Sequence, residues 1–247
     1  MRLGIRFKAE HFTIPVNNNS IIQGFLYRCL GEEPAYSDFL HNRGYRSEPG
    51  KNFKAFTFSK LRGRHKYDAL TKSMIFENQI LLFVSSLDLH FCNILIKVLY
   101  TKEQLTINGQ EVQVEEIWVD DTHVSDSSIQ IRMLSPIMIH TRLASGKTRY
   151  FSPEDEGWEE LLQDNFFRKY AAIIGREPVC SIEITPIRVS DKDKVVTRYK
   201  GQLLMTGYTG EYLLNGPVLY LDFLYQVGLG SNNSQGFGMF EMTDYDA

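Results

Sequence analysis

The sequence predicts an α+β protein made of two tandem ferredoxin-like (βαββαβ) domains, residues 1–122 and 123–247. Three observations carry that expectation. Strand-type and helix-type hydrophobic periods follow one another as strand, helices, two strands, helix, strand. A comparable order recurs after a polar stretch at Asp120 to Ser128. The chain, 247 residues with 43% apolar side chains, is long enough for two compact cores of about 120 residues each.

Each element has a local reason. Arg2 to Lys8 sets Leu3, Ile5 and Phe7 between Arg6 and Lys8, the period of two of a half-buried strand. Asn17 to Ser20 offers helix caps before Ile21, Ile22, Phe25, Leu26 and Cys29, which share one helical face ending near Gly31. A second short helix runs from Pro34, suited to a first turn, to about Asn42, and Gly44 supplies its left-handed stop. Strands follow at Phe53 to Phe58 and Met74 to Ser85. A helix comes next at Asp88 to Tyr100, with Phe91, Ile94, Leu95 and Val98 at helical spacing, and then a strand at Val112 to Val119.

In the second half, Ile129, Ile131 and Met133 alternate, and Ser152-Pro153-Glu154-Asp155 announces a helix through Phe167. Cys180 to Val189 and Lys194 to Met205 read as strands joined by a turn at Ser190 to Asp193. Gly216 to Gln226 reads as a helix with Tyr220, Phe223, Leu224 and Val227 on one side, and Phe237 to Met242 as the last strand.

Composition narrows the class. With 23% charged and 13% aromatic residues the chain is not of disordered type. No apolar run approaches the roughly 20 residues of a membrane helix, and Met1 to Lys8 lacks the continuous apolar core of a signal peptide. Cys29, Cys92 and Cys180 lie far apart, without a C-x-x-C, which fits buried thiols in a reducing cytoplasm. No histidines or cysteines show zinc-ligand spacing.

The net charge of -3 conceals an asymmetry. His41 to Lys72 holds nine basic and two acidic residues, +7, so the remainder carries -10. Tyr45, Phe53, Phe56, Phe58 and Tyr67 interleave with Arg43, Arg46, Lys54, Lys60, Arg62 and Arg64, a pattern that joins phosphate contacts to base-stacking surfaces. A solvated basic face has the same composition. Gly228-Leu229-Gly230-Ser231-Asn232-Asn233-Ser234-Gln235-Gly236-Phe237-Gly238 follows a helix, with neither the spacing nor the context of a dinucleotide fingerprint or a P-loop. Its glycines could turn backbone N–H groups toward a phosphate or an RNA strand, or simply make a turn.

YSDFLHNRGYR (Tyr36 to Arg46), FKAFTFSKL (Phe53 to Leu61) and GLGSNNSQGFG, set on the tandem pattern, resemble the CRISPR-associated endoribonucleases of the sixth Cas group, in the repeat-associated mysterious protein superfamily. The resemblance spans the whole chain. It implies cleavage of the CRISPR precursor transcript within its repeats, without a metal or other cofactor, leaving a 2′,3′-cyclic phosphate and a 5′-hydroxyl. It also implies repeat RNA as partner, other Cas proteins of a multisubunit effector complex, and a monomer or homodimer. The chain departs from the family in one respect: Ser231, Asn232, Asn233, Ser234 and Gln235 stand where relatives often carry Lys or Arg, so contact there falls to amides and backbone N–H groups. The alternative within the superfamily is a non-catalytic CRISPR RNA-binding subunit. A metal-dependent phosphotransferase lacks support, since Asp222, Glu241 and Asp244 form no carboxylate motif beside the loop.

Attack by a 2′-hydroxyl needs a proton removed, phosphorane charge stabilised and a proton delivered to the departing 5′-oxygen. Histidine serves either proton step near neutral pH. His41, which occupies the histidine of the F-L-H-x-x-G pattern, is the candidate; His65 is its rival, His90, His123 and His140 read as structural, and His11 carries no signal. By the same resemblance Tyr27 would orient the 2′-hydroxyl and Lys51 would meet a nonbridging oxygen, with Lys54 and Arg46 as substitutes. The RNA-binding expectation comprises Arg43, Arg46, Lys54, Lys60, Arg62, Arg64 and, in the loop, Gly228, Gly230, Ser231, Asn232, Asn233, Gly236 and Gly238.

Overall fold

The computed structural model describes residues 1–8, 10–47 and 51–243. Its N-terminal unit contains β1 (Arg2–Lys8), β2 (Phe12–Pro15), α1 (Asn19–Leu30), α2 (Pro34–Asp38), β3 (Tyr45–Ser47), β4 (Lys51–Phe53), β5 (Phe56–Phe58), β6 (His65–Asp68), β7 (Ser73–Phe76), β8 (Gln79–Ser86), α3 (Leu89–Thr101), β9 (Leu105–Ile107) and β10 (Gln110–Asp120). The main sheet has the order β5-β8-β1-β10-β9, antiparallel throughout. The first strand therefore lies between the third and fourth of the βαββαβ series, as the ferredoxin-like fold requires. Leu3, Ile5 and Phe7 are fully buried with Phe25 and Leu26 of α1 and Phe91 and Leu95 of α3.

The C-terminal unit repeats the arrangement with β11 (Ser128–Met133), β12 (Ile139–Arg142), β13 (Thr148–Phe151), α4 (Trp158–Ile174), β14 (Glu183–Arg188), β15 (Lys194–Tyr199), β16 (Leu203–Tyr208), β17 (Glu211–Asn215), α5 (Val218–Val227) and β18 (Phe240–Thr243). Its sheet order is β14-β17-β11-β18, the same permutation. Trp158, Leu162 and Phe166 of α4 and Tyr220, Phe223 and Leu224 of α5 fill this second core. The fold is thus the tandem ferredoxin-like arrangement that periodicity predicts, and no helix among the described residues is long and apolar enough to cross a membrane.

Several boundaries differ from expectation. Phe53 to Phe58 is two strands rather than one: Phe53 pairs with Tyr45, the chain bends at Lys54 and Ala55, and Phe56–Phe58 joins β8. The Ala55 carbonyl is held at the bend by Leu87 N and Ser86 Oγ. Met74 to Ser85 also divides, because β7 belongs to a separate sheet of order β2-β7-β6. The second short helix stops being α-helical at Asp38 and widens into a π turn at Phe39–Arg43, closed by Gly44 N on Phe39 O at 2.6 Å. Ser152 to Asp155 is a hydrogen-bonded turn ahead of α4, which begins only at Trp158.

The largest correction concerns Lys194 to Met205. The chain reverses at Lys200 and Gly201, both at positive φ, and forms its own hairpin of β15 and β16. β14 pairs instead with β17, a strand that periodicity did not single out. The last strand starts at Phe240 rather than Phe237, since the residues before it complete the glycine-rich loop. Cys29 and Cys92 are buried as expected, whereas Cys180 is exposed.

Arg2 joins the two units. Although 3% exposed, its guanidinium donates to Phe240 O and Tyr225 O at 2.9 Å each and stacks 3.6 Å above the Tyr225 ring. Replacing Arg2 with Ala is expected to lower the unfolding free energy by about 2–4 kcal/mol, since two buried carbonyls each lose a charged donor and Tyr225 O keeps only the longer bond from Ser85 Oγ. Urea unfolding measures it.

Candidate functional site

His41 lies on the π turn between α2 and β3, a local widening that frequently marks functional positions. The imidazole is exposed, and the Tyr27 ring from α1 meets it edge-on at 5.4 Å between centroids. Tyr27 is itself packed edge-on against Phe56, and burial pushes its hydroxyl well above the ordinary phenol range, so it remains a neutral donor.

Asp38 and Asn42 define the imidazole tautomer. Asn42 Nδ2 donates to Asp38 Oδ1 at 2.6 Å, which turns Asn42 Oδ1 toward His41 Nδ1 at 2.9 Å. An amide oxygen only accepts, so Nδ1 is the donor in this contact, and in the neutral imidazole the lone pair is then on Nε2.

Lys54 Nζ donates to the His41 carbonyl at 3.2 Å, and burial lowers its pKa. Lys51 opens β4, but its side chain, like Glu48, Pro49 and Gly50, lies outside the described residues. The rival His65 sits on β6 in the smaller sheet, exposed, with Nδ1 on Gly63 O at 2.9 Å. His90 pairs with Glu33 at 2.7 Å.

The basic run is dispersed rather than continuous. Arg43 pairs with Asp38, Arg62 with Glu241, and Arg64 and Lys66 both with Glu77, so neighbouring carboxylates answer part of its charge. Arg46 is exposed on β3. Lys60 donates to Asn19 Oδ1, and burial lowers its pKa to about 8.

The glycine-rich loop is neither an open cradle nor a plain turn. Gly228, Gly230, Ser231, Asn233, Gly236 and Gly238 are buried, while Asn232, Ser234 and Gln235 are partly exposed. Beneath it lies Lys169 of α4, 1% exposed, whose Nζ donates at 2.7 Å to Gly228 O, Gly230 O and Asn233 Oδ1. Asn233 Nδ2 in turn holds Leu229 O and Phe237 O, and Asn165 Nδ2 reaches Ser231 Oγ. Glycine is compulsory at 238, where φ is +78° and a Cβ would stand 1.9 Å from Leu229 O. From the N-terminal unit, Asn19 Nδ2 donates to Gln235 O and Gly236 O, Gln23 Nε2 to Ser234 O, and Thr57 Oγ1 to Phe237 O. The loop is therefore the seam between the units, and its outer carbonyls face α1, the helix that bears Tyr27.

Two features escaped the sequence. Lys169 carries no motif, and a lysine on an amphipathic helix reads as solvated. The second is a set of exposed cations on the two C-terminal hairpins: Arg142, Lys147 and Arg149 on one, Lys194, Arg198 and Lys200 on the other. Among the described residues none has a carboxylate within ion-pair distance. The hairpins pack together around Met138, Tyr150, Tyr199, Met205 and Phe237 of the glycine loop. No group of three or more potential metal ligands occurs among the described residues.

Two ferredoxin-like units in tandem, with a glycine-rich loop sealed between them and an exposed histidine on the first, place the chain in the class of proteins built from two ferredoxin-like domains. The family model for CRISPR-associated protein Cas6, N-terminal, matches residues 13–118, and that for Cas6, C-terminal, matches residues 119–242. The chain belongs to the Cas6 family. It is 24% identical over 244 residues to CRISPR-associated endoribonuclease Cas6 1 of Methanocaldococcus jannaschii, covering 97% of this chain and 91% of that one. Among solved structures, a Cas6-related protein from Pyrococcus furiosus superposes with a TM-score of 0.84 at 20% identity, over 100% of this chain and 99% of that one. A RAMP protein described as binding different RNA substrates does so with a TM-score of 0.83 at 18% identity, over 99% and 100%.

Lys169→Met should reduce stability by at least about 2 kcal/mol in denaturant unfolding, because buried carbonyls are left without a donor. Lys60 generates a pH dependence. A lysine whose folded pKa is lowered opposes folding while protonated, so the penalty is full below pH about 8 and relaxes as pH rises toward the ordinary value of 10.5. Stability measured across that window should rise less in Lys60→Met than in the parent.

Proposed function

We propose that this protein is a metal-independent endoribonuclease that cleaves CRISPR precursor RNA within its repeats, with His41 as the proton-transfer residue. The observation that carries the reading is the His41 environment: an exposed imidazole oriented through Nδ1 by Asn42, its Nε2 free to receive a proton, beside the neutral Tyr27 phenol. His41 Nε2 takes the proton of the ribose 2′-hydroxyl, the 2′-oxygen bonds to the adjacent phosphorus, and the bond to the 5′-oxygen breaks. The imidazolium, or water in exchange with it, returns a proton to the departing oxygen, leaving a 2′,3′-cyclic phosphate and a 5′-hydroxyl.

Tyr27 positions the attacking hydroxyl, and Lys51 is the candidate cation for the phosphorane, with Lys54, hydrogen-bonded to the His41 carbonyl, as its substitute. In this reading the RNA crosses Arg43, Arg46, Lys54, Lys60, Arg62 and Arg64, meets the loop at Asn232, and continues over the cations of the C-terminal hairpins. The catalytic unit ends at residue 122 and the loop-bearing unit begins at 123. The Cas6 family models and the endoribonuclease name of the Methanocaldococcus relative support the activity.

The test is cleavage of repeat RNA in EDTA with both product ends mapped. His41→Ala should slow cleavage by about 10² or more, the usual contribution of a positioned acid-base group, while RNA binding persists. A deoxyribose on the 5′ side of the cut should abolish cleavage and leave binding intact. Cleavage at the parental rate by either would overturn the mechanism, and binding without cleavage by the parent would mark a non-catalytic RNA-binding subunit.

A further inference from the structure

His41 sits on a segment that cannot hold its own position. α2 has five residues and the π turn another five, far below the roughly 12–15 at which an isolated helix becomes even marginally stable. Something outside the segment must place it. α2 packs on α1 and Leu40 of the π turn is buried in the core, while the side-chain ties of the segment run to α3, a 13-residue helix anchored in the core by Phe91, Cys92, Ile94 and Leu95.

Asp88 caps that helix and does a second job. Its Oδ1 accepts from His90 N at 3.0 Å, the N-cap bond of α3. Its Oδ2 accepts from Tyr36 Oη at 2.6 Å and from Tyr45 Oη at 3.3 Å. Those tyrosines stand five residues before and four residues after His41, so one carboxylate oxygen ties down both flanks of the histidine-bearing turn. The Phe39 ring packs between them, 6.4 Å from Tyr36 and 5.5 Å from Tyr45 by centroid. Burial and the Asp88 charge raise both phenols, Tyr45 to about 12, so each keeps the proton it donates. The Glu33–His90 contact adds a third tie at the start of the segment.

We propose that Asp88 is a positioning residue for His41, acting through Tyr36 and Tyr45. The proposal rests on His41 being the proton-transfer residue, and its test separates the two ideas. Two variants are compared with the parent: Asp88→Ser, which retains an N-cap oxygen but loses the second arm, and the pair Tyr36→Phe with Tyr45→Phe, which leaves the cap untouched. Three quantities are measured: single-turnover cleavage of repeat RNA, affinity for the same RNA carrying the blocking deoxyribose, and the ring NMR resonance of His41, assigned by its loss in His41→Ala.

Expected in both variants is a cleavage rate reduced roughly 10- to 100-fold, the scale of a displaced catalytic group, with unchanged affinity and a shifted His41 resonance. Combining all three substitutions should add little, since they cut the same tie. Parental rates with an unmoved resonance overturn the proposal, as does a joint fall in rate and affinity without a shift, which marks general loosening. Should Asp88→Ser fail to fold, the tyrosine pair decides. If the parent does not cleave RNA at all, the proposed function falls, while the resonance still reports whether Asp88 places His41.

Discussion

An ammonium group buried beneath the glycine-rich loop is the constraint from which most of the architecture follows. Removing such a charge from water costs several kcal/mol unless strong acceptors replace the solvent. Lys169 has three in the described structure, two of them main-chain carbonyls of Gly228 and Gly230. Turning both carbonyls onto one point demands backbone conformations that glycine reaches without strain, and at both residues φ is positive. With the carbonyls directed inward, Leu229 and Phe237 enter the interior, and Phe237 becomes the hub on which the two C-terminal hairpins pack. The glycine spacing is thus explained by an internal cation rather than by an external phosphate.

The same loop transmits position toward His41. Its outer carbonyls are read by Asn19 and Gln23 on the first two turns of α1, and Tyr27 lies one to two turns further along that helix. Lys169 and Tyr27 belong to different units, yet hydrogen bonds from Lys169 to the loop and from α1 to the same loop join the two helices that carry them. On the opposite side, the His41 turn is tied through Tyr36 and Tyr45 to α3 of its own unit. The imidazole therefore stands beside α1, a helix of the N-terminal core that also meets the loop of the C-terminal unit, on a turn tied to α3. Movement at the seam would alter the Tyr27–His41 separation directly.

Hydrophobic period was enough to recognise both βαββαβ series, because helices such as Leu89–Thr101 bury one face and expose the other, and Arg2–Lys8 keeps Leu3, Ile5 and Phe7 on one face although the central strand is buried everywhere but at Arg6 and Lys8. It failed where tertiary pairing chose between equivalent local options. Lys194 to Met205 has strand propensity along its length, but nothing local showed that Lys200 and Gly201 would reverse it, nor that Glu211–Asn215 would take its place beside β14. The break at Lys54 was hidden for a similar reason: hydrogen bonds from Ser86 and Leu87, more than thirty residues away, bend the chain at Ala55. At the candidate site, the motif singled out His41 and the resemblance Tyr27, and the fold sets the two rings against each other. Asp88 and Lys169 were not, because an N-cap aspartate and a helical lysine have ordinary local explanations, and their further partners come together only on folding.

Counting charges along the chain overstated one basic region and missed another. Arg62, Arg64 and Lys66 fall close together in sequence, but folding brings Glu241 and Glu77 against them. The hairpin cations are spread along the sequence, and the two hairpins that carry them, β12–β13 and β15–β16, come together on Phe237 only on folding. A polyanion responds to the arrangement after folding, since charges more than about 10 Å away are largely screened at 0.1 M salt. The net charge of -3 is then a poor guide to affinity. Carboxylates distributed over remote faces contribute little, while cations without local partners meet phosphates directly and release their counterions. On this argument the acidic net charge does not count against the RNA-binding reading proposed above.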